Sequence, residues 1–268
     1  MSSSFWSRIA ISAVGIPVVL WLVYLGGWSM FALAAVAAIV GLHELYWMTR
    51  TLRPVVLAGY LGALAALLGA AIGGPDWALG GFMSTFALAF VFKGVAGTRQ
   101  STAVSVSLTV LGAGWIGLGL AHAVLLRDIP EHGVLAAFAV LLAVWAGDSA
   151  AFLIGMLFGR HKLAPSVSPG KTWEGLIAGT AATTGATFFA FYQERTDFLS
   201  IREILVLGVV IAVVAPLGDL FESALKRDMD VKDSSRLLAG HGGLLDRLDA
   251  LLFAWVAAYY VIAAFGQA

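Results

Sequence analysis

The chain has 268 residues, of which 60% are hydrophobic and 12% are charged, and its formal net charge is zero. Soluble domains are about half apolar and about a quarter charged, so this composition excludes an ordinary soluble domain and predicts an integral membrane protein. Cysteine is absent, which excludes disulfides and thiolate metal sites.

Apolar runs of about 20 residues, each long enough to cross a bilayer as a helix, recur along the whole sequence. The first run is long for a signal peptide and no clear cleavage site follows it, so we expect an uncleaved span. The sequence predicts an all-α, polytopic membrane protein with about nine transmembrane helices and a polar cavity that faces the cytoplasm. The spans lie at about 9–25, 28–48, 55–74, 77–95, 103–125, 133–156, 173–192, 203–224 and 249–266.

Lysines and arginines concentrate in alternate loops. One side carries Arg8, Arg50, Arg53, Lys93, Arg99, Arg160, Lys162, Lys171, Lys226, Arg227, Lys232, Arg236 and Arg247, whereas the other carries Arg127, Arg195 and Arg202. The positive-inside rule therefore predicts a cytoplasmic N-terminus and an external C-terminus.

We treat residues 1–268 as a single transmembrane domain whose two halves differ in chemistry. The first half, 1–130, is apolar and is predicted to supply mainly structural or dimer-forming spans. Its one polar pair within a span is His43 and Glu44, and we favour a structural role because the pair lies near the cytoplasmic end. The second half, 133–268, carries the candidate chemistry.

Asp148 is the first intramembrane carboxylate of the second half. An aspartate is too short to reach water from an apolar span, so it must face a cavity, a cation or a partner side chain. We favour a functional role over a structural hydrogen bond.

The segment 159–175, GRHKLAPSVSPGKTWEG, predicts the start of a helix. Ser168 and Pro169 match an N-cap and a first helical position. The triplet at 170–172 is similar to the end of a phosphate-binding P-loop, but Pro165 occupies a required glycine position, and a P-loop also needs a preceding strand. What remains is a helix N-terminus with Lys171 and Thr172, which suits an anion.

Two features follow this predicted helix start. Glu174 is either a partner for the helix dipole in the first turn or a site residue. Gly175 and Gly179 form a GxxxG pair, which predicts close contact with a neighbouring helix.

The densest cluster of charge lies between residues 218 and 249. Asp219, Glu222 with Ser223, and Lys226 are three or four positions apart, so they form one stripe of a helix. Asp246 and Asp249 share one face of the last predicted span. A single acid there would serve the helix dipole, whereas carboxylates from two helices suit a hard cation such as Mg²⁺.

His241, Gly242 and Gly243 are predicted to break the helical structure between these two helices. Glycines permit positive φ and close backbone approach to a ligand, and successive N–H groups can bind an anion. The alternative is a simple helix C-cap at Gly240. The nearby cations Lys226, Arg227, Lys232, Arg236 and Arg247 either bind phosphates or attract anionic lipid head groups. Together these residues indicate phosphoryl or nucleotidyl transfer involving a lipid, with the substrates left open.

The segment also resembles a known family. Its residues Ser223-Ala-Leu-Lys226-Arg227, Lys232-Asp233 and His241-Gly242-Gly243-x-x-Asp246-Arg247-x-Asp249 closely match the signature of phosphatidate cytidylyltransferases, or CDP-diacylglycerol synthases. The upstream segment from Ser168 to Gly175 is similar too, although Gly170 stands where many relatives carry lysine.

The resemblance implies that CTP and phosphatidate react to give CDP-diacylglycerol and pyrophosphate, with Mg²⁺ and room for a second cation. It implies a homodimer in a bacterial inner membrane, with the active site facing the cytoplasm and no nucleic-acid partner. The implied catalytic residues are Asp219, Lys226, Asp246 and Asp249, and the implied metal ligands are Asp148, Asp219, Asp246 and Asp249. The implied substrate ligands are Ser168, Lys171, Thr172, Glu174, Ser223, Arg227, Lys232, His241, Gly242, Gly243 and Arg247.

Two other functions use similar ingredients. A CTP-dependent lipid kinase would transfer the γ-phosphate, and a transporter could place Asp148 and Asp219 in broken helices near the midplane. The concentration of charge at one face argues against transport. The spaced aspartate pattern of a CDP-alcohol phosphotransferase is absent from the sequence.

Overall fold

The computed structural model describes residues 15–96, 101–235 and 242–267, and the fold is mostly helical. The helices are α1 (Gly15–Leu25), α2 (Gly27–Met48), α3 (Val56–Ala96), α4 (Thr102–Gly112), α5 (Gly119–Arg127), α6 (Gly133–Phe158), α7 (Trp173–Phe191), α8 (Ile201–Asp228) and α9 (Leu245–Ala264). A π-helical turn, Ala113–Leu118, joins α4 to α5. Two short strands, β1 (Lys162–Ala164) and β2 (Ser168–Thr172), pair antiparallel. The predicted ligand His241 and the loop cations Arg8, Arg99 and Arg236 lie outside the described residues.

Six helical segments in the described residues are long and apolar enough to cross a membrane: α2, α3, the continuous α4–α5, α6, α8 and α9. Helix α1 is apolar but shorter. This architecture fits the predicted all-α, multi-pass membrane protein. The count of nine spans, the orientation and the cytoplasmic cavity stay predictions.

Helix α3 is broken at Gly74, where φ is 77° and ψ is −163°, and Pro75 follows directly. Glycine adopts this positive φ without strain, and proline suits the first turn of the next helical segment. Gly69 and Gly81 lie against the backbone of the opposite half, at Trp77 and Ala65, where a Cβ would overlap with it. The two halves therefore form a tight helical hairpin, and they match the predicted spans 55–74 and 77–95.

The chain divides into two compact units. Unit 1 combines Met1–Asp128 with Val231–Arg247, and unit 2 combines Ile129–Asp230 with Leu248–Ala268. The short segment from Val231 to Arg247 is therefore grouped with the N-terminal half of the chain. The assignment of residues 1–268 to a single domain stays a prediction.

In unit 1, a buried tyrosine ties α2 to α4. The hydroxyl of Tyr46 donates a hydrogen bond of 2.9 Å to the carbonyl oxygen of Thr109, 63 positions away. Gly59 and Gly112 leave room for the ring, since a Cβ at either position would collide with it. A buried hydroxyl must find such a partner, because an unpaired one is costly to bury.

In unit 2, glycines let α6 and α7 approach each other closely. A Cβ on Gly175 would lie 2.7 Å from the carbonyl oxygen of Ala151, and one on Gly179 would lie 3.0 Å from that of Gly147. The predicted role of the GxxxG pair is therefore confirmed, and α6 is the neighbouring helix.

The predicted helix start at Ser168 and Pro169 is wrong. Residues Ser168–Thr172 form β2, which pairs with β1 in the register Lys162↔Thr172 and Ala164↔Ser168. Helix α7 begins at Trp173, and the side chain of Thr172 is its N-cap, accepting a hydrogen bond of 3.1 Å from the amide of Gly175. Serine–proline fits an edge strand as well as a helix start, and here the strand partner decides between them.

Candidate active site

The polar stripe of α8 takes the form that its spacing predicts. Ser223 Oγ donates to Asp219 Oδ1 over 3.3 Å, and Lys226 Nζ donates to Glu222 Oε2 over 2.9 Å. Glu222 is fully buried and the Lys226 side chain is only 11% exposed. Water and salt screen the attraction between buried charges only weakly, so the Glu222–Lys226 ion pair is strong within an otherwise apolar helix.

Strand β2 brings a second predicted cation to α8. Lys171 Nζ lies 2.7 Å from Asp219 Oδ2 in a half-buried ion pair. At the end of α8, Arg227 Nε donates to the carbonyl oxygen of Val167, in the turn between the two strands, over 3.3 Å. The hairpin and α8 thus bring Lys171 to Asp219, 48 positions later in the sequence, and Val167 to Arg227, 60 positions later.

Asp249 reaches this cluster from α9. Gly218 permits the approach, because a Cβ there would overlap with the carbonyl oxygen of Asp249 and lie 3.0 Å from Phe253 Cδ2. The buried Asp249 side chain interacts with Asp219, Glu222 and Lys226.

Asp148 joins the same cluster from α6. Its carboxylate interacts with Asp219 and Lys171. In unit 2, carboxylates from α6 and α9 are thus electrostatically coupled to Asp219 of α8, and lysines form ion pairs with Asp219 and Glu222. Such a group can bind phosphate oxygens through its cations and a hard metal ion through its carboxylates.

Glu174 lies in the first turn of α7, and its partner is His161. His161 Nδ1 lies 2.6 Å from Glu174 Oε1, and the hydrogen bond with this ring lowers the pKa of Glu174 to about 2. The backbone amide of His161 also donates to both carboxylate oxygens, over 3.3 Å each. Glu174 therefore joins the start of α7 to the residue that precedes β1, and its predicted contact with substrate stays a prediction.

The part of the signature in unit 1 forms a compact loop, which we call the signature loop and define as residues 231–235 and 242–247. Asp246 Oδ2 accepts hydrogen bonds from the amide of Gly243 (2.7 Å) and from the amide (3.2 Å) and hydroxyl (3.1 Å) of Ser234. Gly242 has a φ of 79°, a left-handed conformation that glycine adopts without strain, which explains why glycine stands at this position. A Cβ on Gly243 would overlap with the Ser234 hydroxyl.

Sequence reasoning did not connect Glu44 with the signature. Glu44 is 2% exposed, and its carboxylate accepts hydrogen bonds from Ser234, Ser235, Leu244 and Leu245. The available signal was an acid in an otherwise apolar span, which predicted a structural role without naming a partner.

The predicted site residues are distributed over both units. Unit 2 holds Asp148, Ser168, Lys171, Thr172, Glu174, Asp219, Ser223, Lys226, Arg227 and Asp249, and unit 1 holds Lys232, Gly242, Gly243, Asp246 and Arg247. Within unit 2, contacts join Lys171, Asp219 and Ser223, a separate ion pair joins Lys226 to Glu222, and Asp148 and Asp249 are electrostatically coupled to Asp219.

The carboxylates of unit 2 can be compared with the needs of Mg²⁺. In the described ranges, no three His, Cys, Asp or Glu side chains are grouped so that they alone could hold a metal ion. Mg²⁺ is usually bound by one or two carboxylates and by substrate phosphates, so a full protein cage is not required. Asp219 is electrostatically coupled to both Asp148 and Asp249, so one or two of these carboxylates could hold Mg²⁺ together with substrate phosphates.

Comparisons with known proteins agree on one family. The model of the cytidylyltransferase family matches residues 6–265. The chain is 35% identical over 256 residues to the phosphatidate cytidylyltransferase of Mycobacterium bovis, covering 86% of this chain and 79% of that protein. It is 30% identical over 253 residues to the phosphatidate cytidylyltransferase of Staphylococcus haemolyticus, covering 92% and 94%. The enzyme of the same name from Bacillus subtilis is 37% identical over 161 residues, covering 60% and 59%.

Proposed function

The chain belongs to the cytidylyltransferase family and is a nucleotidyltransferase, and we propose that it makes CDP-diacylglycerol from CTP and phosphatidate with release of pyrophosphate. The observation that carries the proposal is the cluster of unit 2. There Lys171 lies 2.7 Å from Asp219, beside a buried Glu222–Lys226 ion pair. Carboxylates and lysines in an apolar setting suit a reaction between two polyanions. The names of the relatives supply the substrates.

In the proposed reaction, a phosphate oxygen of phosphatidate attacks the α-phosphorus of CTP. The bond from that phosphorus to the bridging oxygen breaks, and its electron pair leaves with pyrophosphate. The attacking phosphate is already an anion, so no strong general base is required. Repulsion between the two substrates is the main barrier, and catalysis comes from positioning and charge neutralisation.

The cations of unit 2 supply that neutralisation in the proposal. Lys171 and Lys226 bind phosphate oxygens, and their ion pairs with Asp219 and Glu222 hold both ammonium groups in place before substrate arrives. Arg227, held by the turn between the strands, adds a planar donor that suits phosphate. Ser223 orients the Asp219 carboxylate through its hydrogen bond.

In the proposal, Asp219 would hold Mg²⁺ together with Asp148 or Asp249 and the substrate phosphates. Bound Mg²⁺ would neutralise the phosphates of CTP and the leaving pyrophosphate. The roles predicted for Ser168, Thr172, Lys232, Gly242, Gly243, Asp246 and Arg247, the homodimer and the inner-membrane location stay proposals. A second cation does too.

The proposal is tested with purified protein, CTP, phosphatidate and Mg²⁺. CDP-diacylglycerol is quantified by mass spectrometry and pyrophosphate by a coupled assay, with Asp219→Asn and Lys171→Met as variants. We expect equimolar products from the wild type and at least about a 100-fold lower rate from each variant. Folded wild-type protein that yields neither product would contradict the proposal.

A further inference from the structure

We propose that Glu44, on helix α2 in the N-terminal half, is a positioning residue that holds the signature loop in its working conformation. The proposal rests on the proposed function, because the loop carries part of the cytidylyltransferase signature. It assigns a role in the reaction to a residue from the half of the chain that the sequence indicated to be structural.

The carboxylate of Glu44 is fully engaged with the signature loop. Oε1 accepts hydrogen bonds from the Ser235 hydroxyl and from the amide of Leu244 (3.0 Å). Oε2 accepts from the amide of Leu245 (2.8 Å) and from the Ser234 hydroxyl (3.2 Å). A carboxylate accepts through two oxygens, and here each oxygen lies within hydrogen-bond distance of two donor groups; the Ser234 hydroxyl has a single proton, which it shares between Glu44 Oε2 and Asp246 Oδ2. One side chain thereby joins both described parts of the loop.

The two amides show why an acid suits this position. Leu245 is the first residue of α9, and the N–H groups of a first helical turn have no partner within the helix. The Glu44 carboxylate accepts from this donor and from the amide of Leu244, the residue before the helix, and it complements the positive end of the helix dipole. It therefore fixes the start of α9, and with it the backbone that carries Asp246 and Arg247.

Ser234 links Glu44 to Asp246 by a second route. Its hydroxyl lies 3.2 Å from Glu44 Oε2 and 3.1 Å from Asp246 Oδ2, and its amide also donates to Asp246. A change in the Glu44 carboxylate that moves Ser234 also changes the hydrogen bonds that orient Asp246.

The packing leaves little freedom for another arrangement. A Cβ on Gly243 would lie 2.6 Å from Glu44 Oε2, so the loop backbone lies as close to the carboxylate as glycine permits. An apolar side chain in place of Glu44 would leave the buried amide of Leu245 and the half-buried amide of Leu244 without this acceptor.

Glu44→Gln is the test variant, with Tyr46→Phe as the matched control. Glutamine has one acceptor oxygen, and its NH₂ group faces a backbone N–H that cannot accept a hydrogen bond. Tyr46 lies on the same helix, and its long-range hydrogen bond to Thr109 is also buried but does not involve the loop. Ser235→Ala removes a single donor and serves as a milder variant if Glu44→Gln fails to fold.

Hydrogen exchange at the amides of Leu244 and Leu245 measures directly whether both still donate hydrogen bonds to residue 44. We expect their amides to exchange about 10-fold faster or more in Glu44→Gln and within about twofold of wild type in Tyr46→Phe. At a temperature where all variants are folded, kcat should fall about 10-fold in Glu44→Gln and stay near wild type in Tyr46→Phe. A purely structural role would lower Tm but leave kcat per folded molecule unchanged.

The outcomes separate the two proposals. Exchange does not depend on the reaction. Faster exchange in Glu44→Gln together with an inactive wild type would therefore support the hydrogen bonds of Glu44 to the signature loop and overturn the proposed function. Active wild type, with Glu44→Gln equal to it in exchange and in kcat, overturns the role of Glu44. Equal losses of kcat in Glu44→Gln and Tyr46→Phe would also overturn it.

Discussion

Gly218 is the position where a single methyl group should separate α9 from the acids of α8. A Cβ there would overlap with the carbonyl oxygen of Asp249, and it would lie 3.0 Å from Phe253 Cδ2. The oxygen belongs to a helical backbone, which cannot rotate away as a flexible side chain could. Gly218→Ala therefore requires the two helices to separate by about 1 Å, since close-packed interiors have no spare space.

That separation moves Asp249 away from Asp219, Glu222 and Lys226. A misplacement of about 1 Å in a catalytic arrangement lowers the rate by about 100-fold. Overpacking of a well-packed core costs about 1–3 kcal/mol of stability, which leaves a membrane protein of ordinary stability folded. We therefore expect a folded variant with about 1% of the wild-type kcat.

The assay is CDP-diacylglycerol formation at saturating substrates, with Tm measured on the same samples. Gly185→Ala, on α7 in the same unit, is the control because a Cβ there meets nothing within 4 Å. It should keep full activity and gain about 0.5–1 kcal/mol of helix stability. If Gly218→Ala retains more than half of the wild-type kcat, the close approach of α8 and α9 does not position the chemistry.

Three further substitutions test individual parts of the account. Asp246→Asn should abolish turnover while circular dichroism and Tm show a folded protein, and near-normal turnover would rule out a metal role for Asp246. The hydrogen bond with His161 lowers the pKa of Glu174 to about 2, so the pair should stabilise the fold above about pH 4.5 and lose this effect as the pH falls towards 2. Glu174→Gln should remove this pH-dependent part of the Tm–pH profile. An unchanged profile would refute the pairing. Lys226→Met removes the cation beside the buried Glu222 and should destabilise the protein by about 3–5 kcal/mol. Adding Glu222→Gln should restore part of the lost stability. A double variant less stable than Lys226→Met would contradict the buried ion pair.

Helix positions could be predicted well from the sequence, because long apolar runs between polar breaks carry that information directly. The second predicted span, 28–48, coincides with α2 at Gly27–Met48, and the sixth, 133–156, with α6 at Gly133–Phe158. The stripe of α8 followed from helical periodicity, and Asp219, Ser223 and Lys226 lie as their spacing indicates.

The hairpin before α7 could not be predicted, because its strands are very short and local preference alone does not separate them from a helix start. Ser168 and Pro169 satisfy the preferences of an N-cap and a first helical position. The pairing of β2 with β1 overrides that preference and moves the cap to Thr172. The ion pair of Lys171 with Asp219 depends on this hairpin and has no local signal.

The hydrogen bonds of Glu44 to the signature loop could not be predicted from the sequence, for a different reason. Its hydrogen-bond partners are 190 to 201 positions away, and no periodicity links an acid in α2 with a loop before α9. A lone acid in an apolar span indicates that a partner exists, but only the fold identifies it.

Cytidylyl transfer to a lipid can be followed with CTP labelled at either the α- or the γ-phosphate. Purified protein is incubated with phosphatidate and Mg²⁺, and label is measured in the organic phase. We predict that α-label enters the lipid and that γ-label stays in the aqueous phase as pyrophosphate. Label in the lipid from the γ position alone would indicate a kinase, and no label in the lipid from folded protein would favour a transporter. Either result would contradict the account.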